Sequence, residues 1–343
     1  MKKIVQIHRK IAPELIAVIE ERYHILRHIQ YAQPIGRRAL AGLLDTGERI
    51  IRAQVDFLKN AGLLDFSSLG MTVTAEGQQL IADLSDYIRL VHGLTPLEEE
   101  LEQSLALEKV MIIPGDAEQD HTVLKELGRA AATLLAEKLK DGMIVGVCGG
   151  STMSMVAESI TFSRPNSVVV PARGGLGEQV ELQANTIAAV MAAKLGGSYR
   201  MLHIPDGIHE SALEVILAND PQAKEIRALT QHTNVLLHSI GQADAMARRR
   251  KMDPAVVAEL LEKGAVGEAL GHFCTLSGEI VYATSSVGLH LGDLAGIDSV
   301  IAVAGGASKA EAVIAVARAS RTGILVIDEA AAKVMQMIIH NKK

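Results

Sequence analysis

The stretch Met143-Ile-Val-Gly-Val-Cys-Gly-Gly-Ser-Thr-Met-Ser154 decides the fold. It predicts a buried strand, a glycine turn with two hydroxyls and then a helix, the unit from which α/β proteins are built. The N–H groups of Gly150, Ser151 and Thr152 are predicted to point into one hollow at the positive end of the helix, which suits a phosphate. Gly149 carries no side chain that would keep such a ligand from the backbone. An unliganded strand-to-helix turn is the alternative, because the motif is neither a Walker loop nor a dinucleotide fingerprint.

The same alternation of strand and helix continues through most of the chain after residue 108. It predicts an α/β fold with a doubly wound, mostly parallel sheet and helices on both faces. Ligands of such sheets bind beyond the carboxyl ends of the strands. The strand candidates are residues 110–113, 143–148, 168–170, 200–204, 235–240, 279–282, 300–304 and 324–327.

Two further glycine-rich turns follow predicted strands. Pro171-Ala-Arg-Gly-Gly-Leu-Gly177 places Arg173 at a strand end, and Gln183 opens the next helix. Val303-Ala-Gly-Gly-Ala-Ser-Lys309 places Lys309 in the first turn of a helix, where the helix dipole disfavours a cation unless an anion is near. A solvated lysine is the alternative at that position.

The run Arg248-Arg-Arg-Lys251 is a fourth cationic cluster, although such runs are usually solvated surface. Together with Arg173 and two glycine-rich helix starts, it suits a small ligand with more than one phosphate. Glu268 fits an anion site only by accepting hydrogen bonds from sugar hydroxyls. His272 and His290 are interpreted as surface or satisfied core histidines.

The first 92 residues follow a different pattern. Helical periodicity over residues 14–32 is followed by helical patterns over residues 37–44 and 48–60. Asp45 and Glu48 have the spacing of a capping box for the last of these helices. A short helix, a turn and a helix with a cationic face are typical of a helix-turn-helix, with an ordinary solvated face as the alternative.

A predicted hairpin favours DNA binding over an ordinary solvated face. Its strands are residues 63–66 and 71–74, and Thr74 can cap a further helix from Ala75 to about Val91. Three helices and a hairpin have the order of a winged helix-turn-helix, so residues 1–92 are predicted to bind DNA. The residues predicted to contact DNA are Arg37 and Arg38 at phosphates, Arg49 and Arg52 in the major groove, and Lys59 on the same cationic face.

Residues 93–108 are predicted to be a helical connector with an apolar stripe of leucines. Two interpretations stay open, a helix packed on its own domain and a short dimer-forming helix. The second would suit a homodimer or a tetramer on paired DNA half-sites. Residues 109–343 then form the ligand-binding domain.

The composition restricts the class of protein. The 343 residues are 48% hydrophobic, which supports a large core. Residues 1–92 carry 12 Lys and Arg against 10 Asp and Glu, and the rest carry 22 against 30, so only the first part suits nucleic acid. Two cysteines without metal-ligand spacing, and no signal peptide or spanning segment, predict a cytoplasmic protein without membrane, metal or cofactor.

These motifs resemble those of a known family, the SorC/DeoR-type transcriptional repressors of glycolytic operons in Gram-positive bacteria. The resemblance covers nearly the whole chain, and its most specific stretch is Pro-Ala-Arg-Gly-Gly-Leu-Gly at residues 171–177. It implies a winged-helix head and an effector domain similar to sugar-phosphate isomerases of the glucosamine-6-phosphate deaminase and ribose-5-phosphate isomerase type. The other motifs that carry it are residues 34–38, 149–152, 183–185, 249–250 and 303–311.

The resemblance also implies repression on double-stranded operator DNA and induction by fructose 1,6-bisphosphate. Ser151 stands where the family pattern leads us to expect threonine, and it keeps the hydroxyl. An extra basic residue leaves the register of Arg249 and Arg250 open by one, with Arg248 as the alternative. The implied effector contacts are Gly149, Gly150, Ser151, Thr152, Arg173, Gln183, Arg249, Arg250, Glu268 and Lys309.

Two alternative functions have less support in the sequence. A sugar-phosphate isomerase or deaminase needs a base beside the sugar, and Glu268 is the carboxylate that the motifs bring near the glycine turns. A dinucleotide-dependent regulator would need the Gly-x-Gly-x-x-Gly order, which the sequence lacks.

Overall fold

The structure is a computed structural model that describes residues 2–175, 179–321 and 323–341. The chain divides into two compact units, Met1–Thr95 and Pro96–Lys343. Each unit contains a hydrophobic core of its own. Leu176 and Gly177 of the second predicted glycine turn lie outside the described residues.

The first unit consists of helices and one β-hairpin, which confirms the predicted winged helix-turn-helix. Its first helix, α1, was not predicted. The elements in order are α1 Lys2–Ile11, α2 Pro13–Ala32, α3 Arg37–Leu43, α4 Glu48–Asn60, β1 Leu64–Ser67, β2 Gly70–Val73 and α5 Ala75–His92.

The hairpin of β1 and β2 is anchored to the segment before α3. The amide of Ile35 donates to the carbonyl of Met71 at 3.2 Å, and the amide of Met71 donates back at 2.8 Å. Gly70 has a φ of +137°, and a Cβ on it would lie 2.8 Å from the backbone of Ile35. Only glycine fits this close approach, so the hairpin is fixed beside α3 as a wing.

The helix starts agree only in part with the predicted caps. Thr74 caps α5 as predicted, because its hydroxyl oxygen accepts a hydrogen bond from the amide of Gly77 at 3.1 Å. The capping box predicted from Asp45 and Glu48 is wrong, since Gly47 is the N-cap of α4 and no side chain caps that helix. Glu48 is therefore the first helical residue and not the third, the position that a capping box requires.

The second unit contains a seven-stranded parallel sheet, which confirms the predicted fold class. The strand order is β3-β13-β12-β7-β4-β5-β6, so the strand of the glycine turn, β4, pairs with β7 and β5 inside the sheet. The strands are β3 Lys109–Ile113, β4 Ile144–Val147, β5 Val168–Pro171, β6 Ser198–Tyr199, β7 Val235–Ser239, β12 Ser299–Val303 and β13 Ile324–Asp328.

Helices cover both faces of this sheet. Val169 and Val170 are consecutive residues of β5 and belong to two different core clusters, because side chains alternate across a strand. The helices are α6 Leu94–Leu105, α7 His121–Lys138, α8 Ser151–Glu158, α9 Ala184–Leu195, α10 Glu210–Asn219, α11 Pro221–Gln231, α12 Ala243–Arg249, α13 Pro254–Glu262, α14 Ala310–Ser320 and α15 Glu329–His340.

A second, four-stranded antiparallel sheet was not predicted. Its order is β11-β10-β9-β8, and the strand predicted at residues 279–282 belongs to it and not to the parallel sheet. The turn between β9 and β10 has two residues, Leu270 and Gly271, both with positive φ. Such turns usually carry Asn or Asp before the glycine, so a leucine at this position gives no sequence signal for a hairpin. The strands are β8 Gly241–Gln242, β9 Ala265–Ala269, β10 His272–Thr275 and β11 Ile280–Ala283.

The strand predicted at residues 200–204 is wrong. Strand β6 ends at Tyr199, and the segment that follows has no regular structure. The side-chain amide of Asn185 donates to the carbonyl of Leu202 and accepts from its amide, both at 2.9 Å. A side chain thus satisfies backbone groups that a neighbouring strand would otherwise pair.

The connector helix α6 packs along the edge strand β3 of its own sheet. Glu98 accepts a hydrogen bond from the amide of Ile112 at 2.7 Å, and Glu102 accepts one from the amide of Val110 at 2.8 Å. These carboxylates satisfy amides that an edge strand leaves unpaired. Leu101 is fully buried. The contacts support the interpretation of the connector as a helix packed on its own domain.

Candidate ligand site and DNA-binding surface

The glycine turn joins β4 to α8. A Cβ on Gly149 would lie 2.7 Å from the carbonyl oxygen of Leu182, and Gly150 has a φ of +120°, so both positions favour glycine. The amide of Gly150 donates to that same carbonyl at 2.9 Å, so the prediction that it points at a ligand is wrong. Ser151 and Thr152 begin α8, and the first amides of a helix have no acceptor within the helix.

A cavity of about 190 Å³ opens beside this turn, beyond the carboxyl end of β4. Nine of the ten predicted effector residues line it. Gln183 does not, although its neighbours Leu182 and Ala184 do, and its side chain lies beside Gly175 instead. The nine lining residues are Gly149, Gly150, Ser151, Thr152, Arg173, Arg249, Arg250, Glu268 and Lys309.

Four buried side chains of alternating charge form part of the cavity wall. Arg173 Nε donates to Asp206 Oδ2 at 2.9 Å, and Arg250 Nη1 donates to the same oxygen at 3.3 Å. Arg250 Nη2 donates to Glu268 Oε1 at 2.8 Å. Each of these side chains is at most 9% exposed. Two guanidinium groups and two carboxylates neutralise one another, so this network adds no net charge to the cavity.

Arg173 has a structural role in this network. Its Nη2 donates to the carbonyl of Thr284 at 3.1 Å, and its Nη1 donates to the carbonyls of Leu270 and, at 3.4 Å, Leu289. The guanidinium therefore ties the end of β5 to the turn of the antiparallel sheet. Arg250, by contrast, keeps a buried Nε without a hydrogen-bond partner.

Asp206 was not predicted as a site residue, although it connects the site. Its Oδ1 accepts hydrogen bonds from the Ser286 hydroxyl at 2.6 Å and from the amide of Gly174 at 3.1 Å. With Arg173 and Arg250 on Oδ2, the carboxylate accepts four hydrogen bonds. No local signal in the sequence marks it, because it follows the irregular segment after β6 and not the end of a strand.

Arg249 and Lys309 supply the positive charge that the network does not neutralise. Among the cavity-lining residues in the described ranges, these two cations make no ion pair. Burial lowers the pKa of Lys309, and the nearby carboxylates of Asp328 and Glu118 oppose that effect. A bound anion would favour the charged form further.

The third predicted glycine turn is filled by carboxylates of the protein. The amide of Gly306 donates to Asp328 Oδ2 at 2.6 Å, and the hydroxyl of Ser308 donates to Glu118. The Glu118 carboxyl group also lies where a side chain on Gly306 would project. This turn therefore contributes Lys309 to the cavity and not a free glycine amide.

The arginine run divides between solvent and cavity. Arg248 lies 3.4 Å from Asp244 on the same helix, and its side chain is 76% exposed. Arg249 and Arg250, at the end of α12, line the cavity. The geometry therefore favours Arg249 and Arg250 over the alternative that used Arg248.

Burial keeps the cysteines and histidines around the cavity in their neutral forms. It raises the pKa of Cys148 and of Cys274 to about 12. It lowers the pKa of His272 to about 4 and also lowers the pKa of His290, whose ring meets that of His272 edge-on at 5.2 Å. These groups offer neither a thiolate nor an imidazolium at neutral pH.

Neither a metal site nor a membrane-spanning helix is found in the described part of the chain. No three His, Cys, Asp or Glu side chains within residues 2–175, 179–321 and 323–341 are placed to hold a metal ion. No helix in those ranges combines the length and the apolar character that crossing a bilayer requires.

Two of the five predicted DNA contacts, Arg37 and Lys59, brace the wing. Arg37 Nη2 lies 2.6 Å from Asp56 Oδ1 on α4. The Arg37 guanidinium and the Lys59 ammonium lie 4.9 and 4.8 Å from the centre of the Phe66 ring on β1. These cation–π contacts connect α3, α4 and the hairpin.

The other three predicted DNA contacts are more open. Arg38 and Arg52 lie 3.6 and 3.4 Å from the carboxylate of Glu48, and their side chains stay 92% and 60% exposed. Such exposed pairs are weak. Arg49 is exposed and makes no ion pair with any described residue. The surface of α3 and α4 thus presents three accessible cations.

Comparisons with known proteins match both units. A family model described as the CggR N-terminal DNA binding domain matches residues 18–88, and one described as a putative sugar-binding domain matches residues 90–336. The chain is 42% identical over 336 residues to the central glycolytic genes regulator of Priestia megaterium (strain DSM 319 / IMG 1521). It is 41% identical over 335 residues to that of Bacillus subtilis (strain 168). Each alignment covers 97% of this chain and 98% of the relative.

Solved structures show the same fold. A putative SorC family transcriptional regulator from Enterococcus faecalis matches with a TM-score of 0.65 and 38% identity, covering 70% of this chain and 99% of that chain. The full-length sorbitol operon regulator SorC from Klebsiella pneumoniae covers 92% of this chain and 98% of its own, with a TM-score of 0.64. Its identity is 17%, so it supports the fold alone.

Proposed function

We propose a function for this chain from its family. The chain belongs to the family of transcriptional regulators that join a CggR N-terminal DNA-binding domain to a putative sugar-binding domain, and its relatives include two central glycolytic genes regulators. The chain is a regulator with a DNA-binding and a sugar-binding domain. The finer proposal is that it represses a glycolytic operon by binding operator DNA. Fructose 1,6-bisphosphate is proposed to bind the cavity and to release that DNA.

The observation that carries the sugar proposal is the convergence of polar groups on one cavity. Arg249 and Lys309 come from different elements, the end of α12 and the start of α14, and lie outside the neutral network, with the carboxylates of Asp328 and Glu118 near Lys309. Ser151 and Thr152 add hydroxyls and first-turn amides. Two separate sources of positive charge suit a ligand with two phosphates better than a ligand with one.

Glu268 suits the sugar part of the ligand. One of its oxygens accepts from Arg250 and from the amide of Gly271 at 2.6 Å. Sugar hydroxyls are proposed to donate hydrogen bonds to the other oxygen. A carboxylate held by a guanidinium can accept such bonds while its charge stays balanced.

The site suits a regulator that binds a sugar phosphate better than an enzyme that converts one. Of the cavity-lining residues described, the carboxylates are Asp206 and Glu268, and each is bound to a guanidinium. A general base for isomerisation must lie within reach of the proton on the sugar carbon, whereas these two carboxylates are held by guanidinium groups of the network. The relatives at 42% and 41% identity are also named as regulators. The isomerase alternative would return if purified protein interconverted aldose and ketose phosphates.

The release of DNA is proposed to follow from differential affinity. An effector shifts a conformational equilibrium only by binding one state more tightly than the other. Fructose 1,6-bisphosphate is therefore proposed to favour a state that fits operator DNA poorly. A homodimer or tetramer on paired half-sites is the assembly proposed for the DNA-bound state.

The test is an anisotropy titration with a labelled duplex selected from a random pool by the full-length protein. Fructose 1,6-bisphosphate at millimolar concentration should weaken binding at constant ionic strength, and fructose and inorganic phosphate should not. Unchanged affinity with the bisphosphate would contradict induction. Failure to select any duplex would contradict operator binding.

Lys309 provides the matched test of the cavity. Lys309→Ala should weaken fructose 1,6-bisphosphate binding by about tenfold or more, because a charged hydrogen-bond partner is lost. Arg248→Ala removes an equal charge that lies outside the cavity and should leave the affinity unchanged. Calorimetric titration measures both. Equal losses in the two variants would show a diffuse charge effect and contradict a contact at Lys309.

A further inference from the structure

We infer that Ile50 recognises the 5-methyl group of a thymine in the major groove and so sets part of the sequence preference of the first unit. The inference rests on the proposed function, in which α4 enters the groove. The first residues of a recognition helix contact base edges. The thymine methyl is the apolar group that those edges present.

Ile50 is an exposed apolar residue in the first turn of α4. It is 52% exposed, whereas the next residue, Ile51, is 1% exposed and packs in the core. Ile51, Val55 and Leu58 form the buried stripe of the helix. Helical geometry turns Ile50 about 100° away from Ile51, so it lies outside that stripe. Its exposure follows from its position on the helix.

The other large apolar residue exposed on α4 already has a partner. Phe57 carries the guanidinium of Arg22 3.6 Å above its ring. Arg22 donates to Gln54 at 3.1 Å, and Gln54 donates to Glu21 at 2.9 Å. These contacts join α2 to α4 at Gln54 and Phe57. Ile50 lies one turn earlier, beyond these contacts, at the end of the helix that meets the bases.

The residues around Ile50 suit a groove of DNA. Arg49 and Arg52 are exposed and lie three residues apart, and Ala53, three residues after Ile50, is exposed and small. Residues three apart are neighbours on a helix, so Ile50 and Ala53 form one apolar patch. Arg49 lies one helical turn before Ala53, so a cation borders one side of this patch and suits a phosphate. The small side chain of Ala53 lets the helix approach a methyl group closely. An apolar protein partner would instead have to bury those arginines.

The experiment removes the methyl group and the side chain separately. The full-length protein is titrated against its selected duplex and against duplexes in which single thymines are replaced by deoxyuridine, which lacks only the methyl. For the wild type, one or two replacements per half-site should raise the Kd about fourfold, the effect of one buried methyl. Ile50→Ala should bind the thymine duplex more weakly and should not respond to those same replacements.

Leu15→Ala is the control, because Leu15 is an exposed apolar residue of α2 at 43% exposure. It should keep the wild-type response to every deoxyuridine. Thermal melting checks that each variant is folded. If no thymine responds in the wild type, or if Ile50→Ala keeps the full response, the inference is wrong while operator binding stands. If no duplex is selected, both are wrong.

Discussion

Buried histidines make the second unit sensitive to acid at the level of single residues. His238 lies on β7 and is 2% exposed. Burial lowers its pKa to about 4, and the carbonyl of Ser239, 3.3 Å from Nδ1, opposes that effect only partly. The unfolded chain binds a proton at this residue near pH 6.5, and the folded chain does not.

His238 should therefore contribute stability above about pH 6.5 that is lost as the pH falls toward 4. The full loss is about 3 kcal/mol, from the difference between the two pKa values. His238→Gln should reduce the fall in melting temperature between pH 7 and pH 4.5. Part of the fall should remain, because the pKa of His272 is also lowered by burial. His121→Gln, which replaces an exposed histidine, should retain the wild-type fall. An unchanged pH profile in His238→Gln would contradict the assignment.

At the scale of elements, the close approach of α7 and α8 positions the glycine turn. A Cβ on Gly128 of α7 would lie 2.7 Å from the carbonyl carbon and oxygen of Met155 on α8. Backbone atoms cannot yield as the end of a flexible side chain can. Any side chain at residue 128 must therefore move α8, whose first residues line the cavity.

Gly128→Ala should destabilise the second unit by about 1–3 kcal/mol, as expected for overpacking between fixed elements. The gain in helix propensity, about 1 kcal/mol, acts in the opposite direction and is smaller than the expected cost. Fructose 1,6-bisphosphate affinity should fall as well, because α8 carries Ser151 and Thr152. Thr133→Ala, on the exposed face of α7, should change stability by less than about 0.5 kcal/mol. Urea unfolding and calorimetric titration measure these effects, and a stabilised Gly128→Ala would refute the steric argument.

For the whole molecule, effector binding and DNA binding are proposed to oppose each other through one coupling free energy. Thermodynamic linkage requires the coupling to be reciprocal. If fructose 1,6-bisphosphate lowers DNA affinity by some factor, saturating DNA must lower fructose 1,6-bisphosphate affinity by the same factor. We expect a factor between about 5 and 150, the usual range for coupled sites.

The reciprocal factor is measured by titrating fructose 1,6-bisphosphate into the protein with and without the selected duplex. A duplex of shuffled sequence at the same concentration is the control for charge and ionic strength. Equal sugar affinities with and without the selected duplex would contradict coupling, even if each ligand bound on its own.

The sequence by itself determined most local elements, although it missed α1 and the antiparallel sheet. The strand, glycine turn and helix start at residues 143–154 follow from hydrophobic run, glycine and helix pattern, which are properties of neighbouring residues. Thr74 as a cap and the helix-turn-helix order followed from the same kind of local signal. The glycine turns that carry Arg173 and Lys309 were found because ligands of parallel sheets bind at strand ends, and strand ends can be located in a sequence. The full set of predicted contacts, with Arg249, Arg250 and Glu268, came from the family resemblance.

Only the tertiary structure decided which groups satisfy one another. Asp206 meets Arg250 across 44 residues of chain, and Glu118 meets Ser308 across 190. No local pattern contains such pairings, because they depend on how strands are ordered and how loops meet. The amide of Gly150 looked available in sequence and is occupied by the carbonyl of Leu182. Most buried polar groups are paired, and packing alone determines which partner lies within reach.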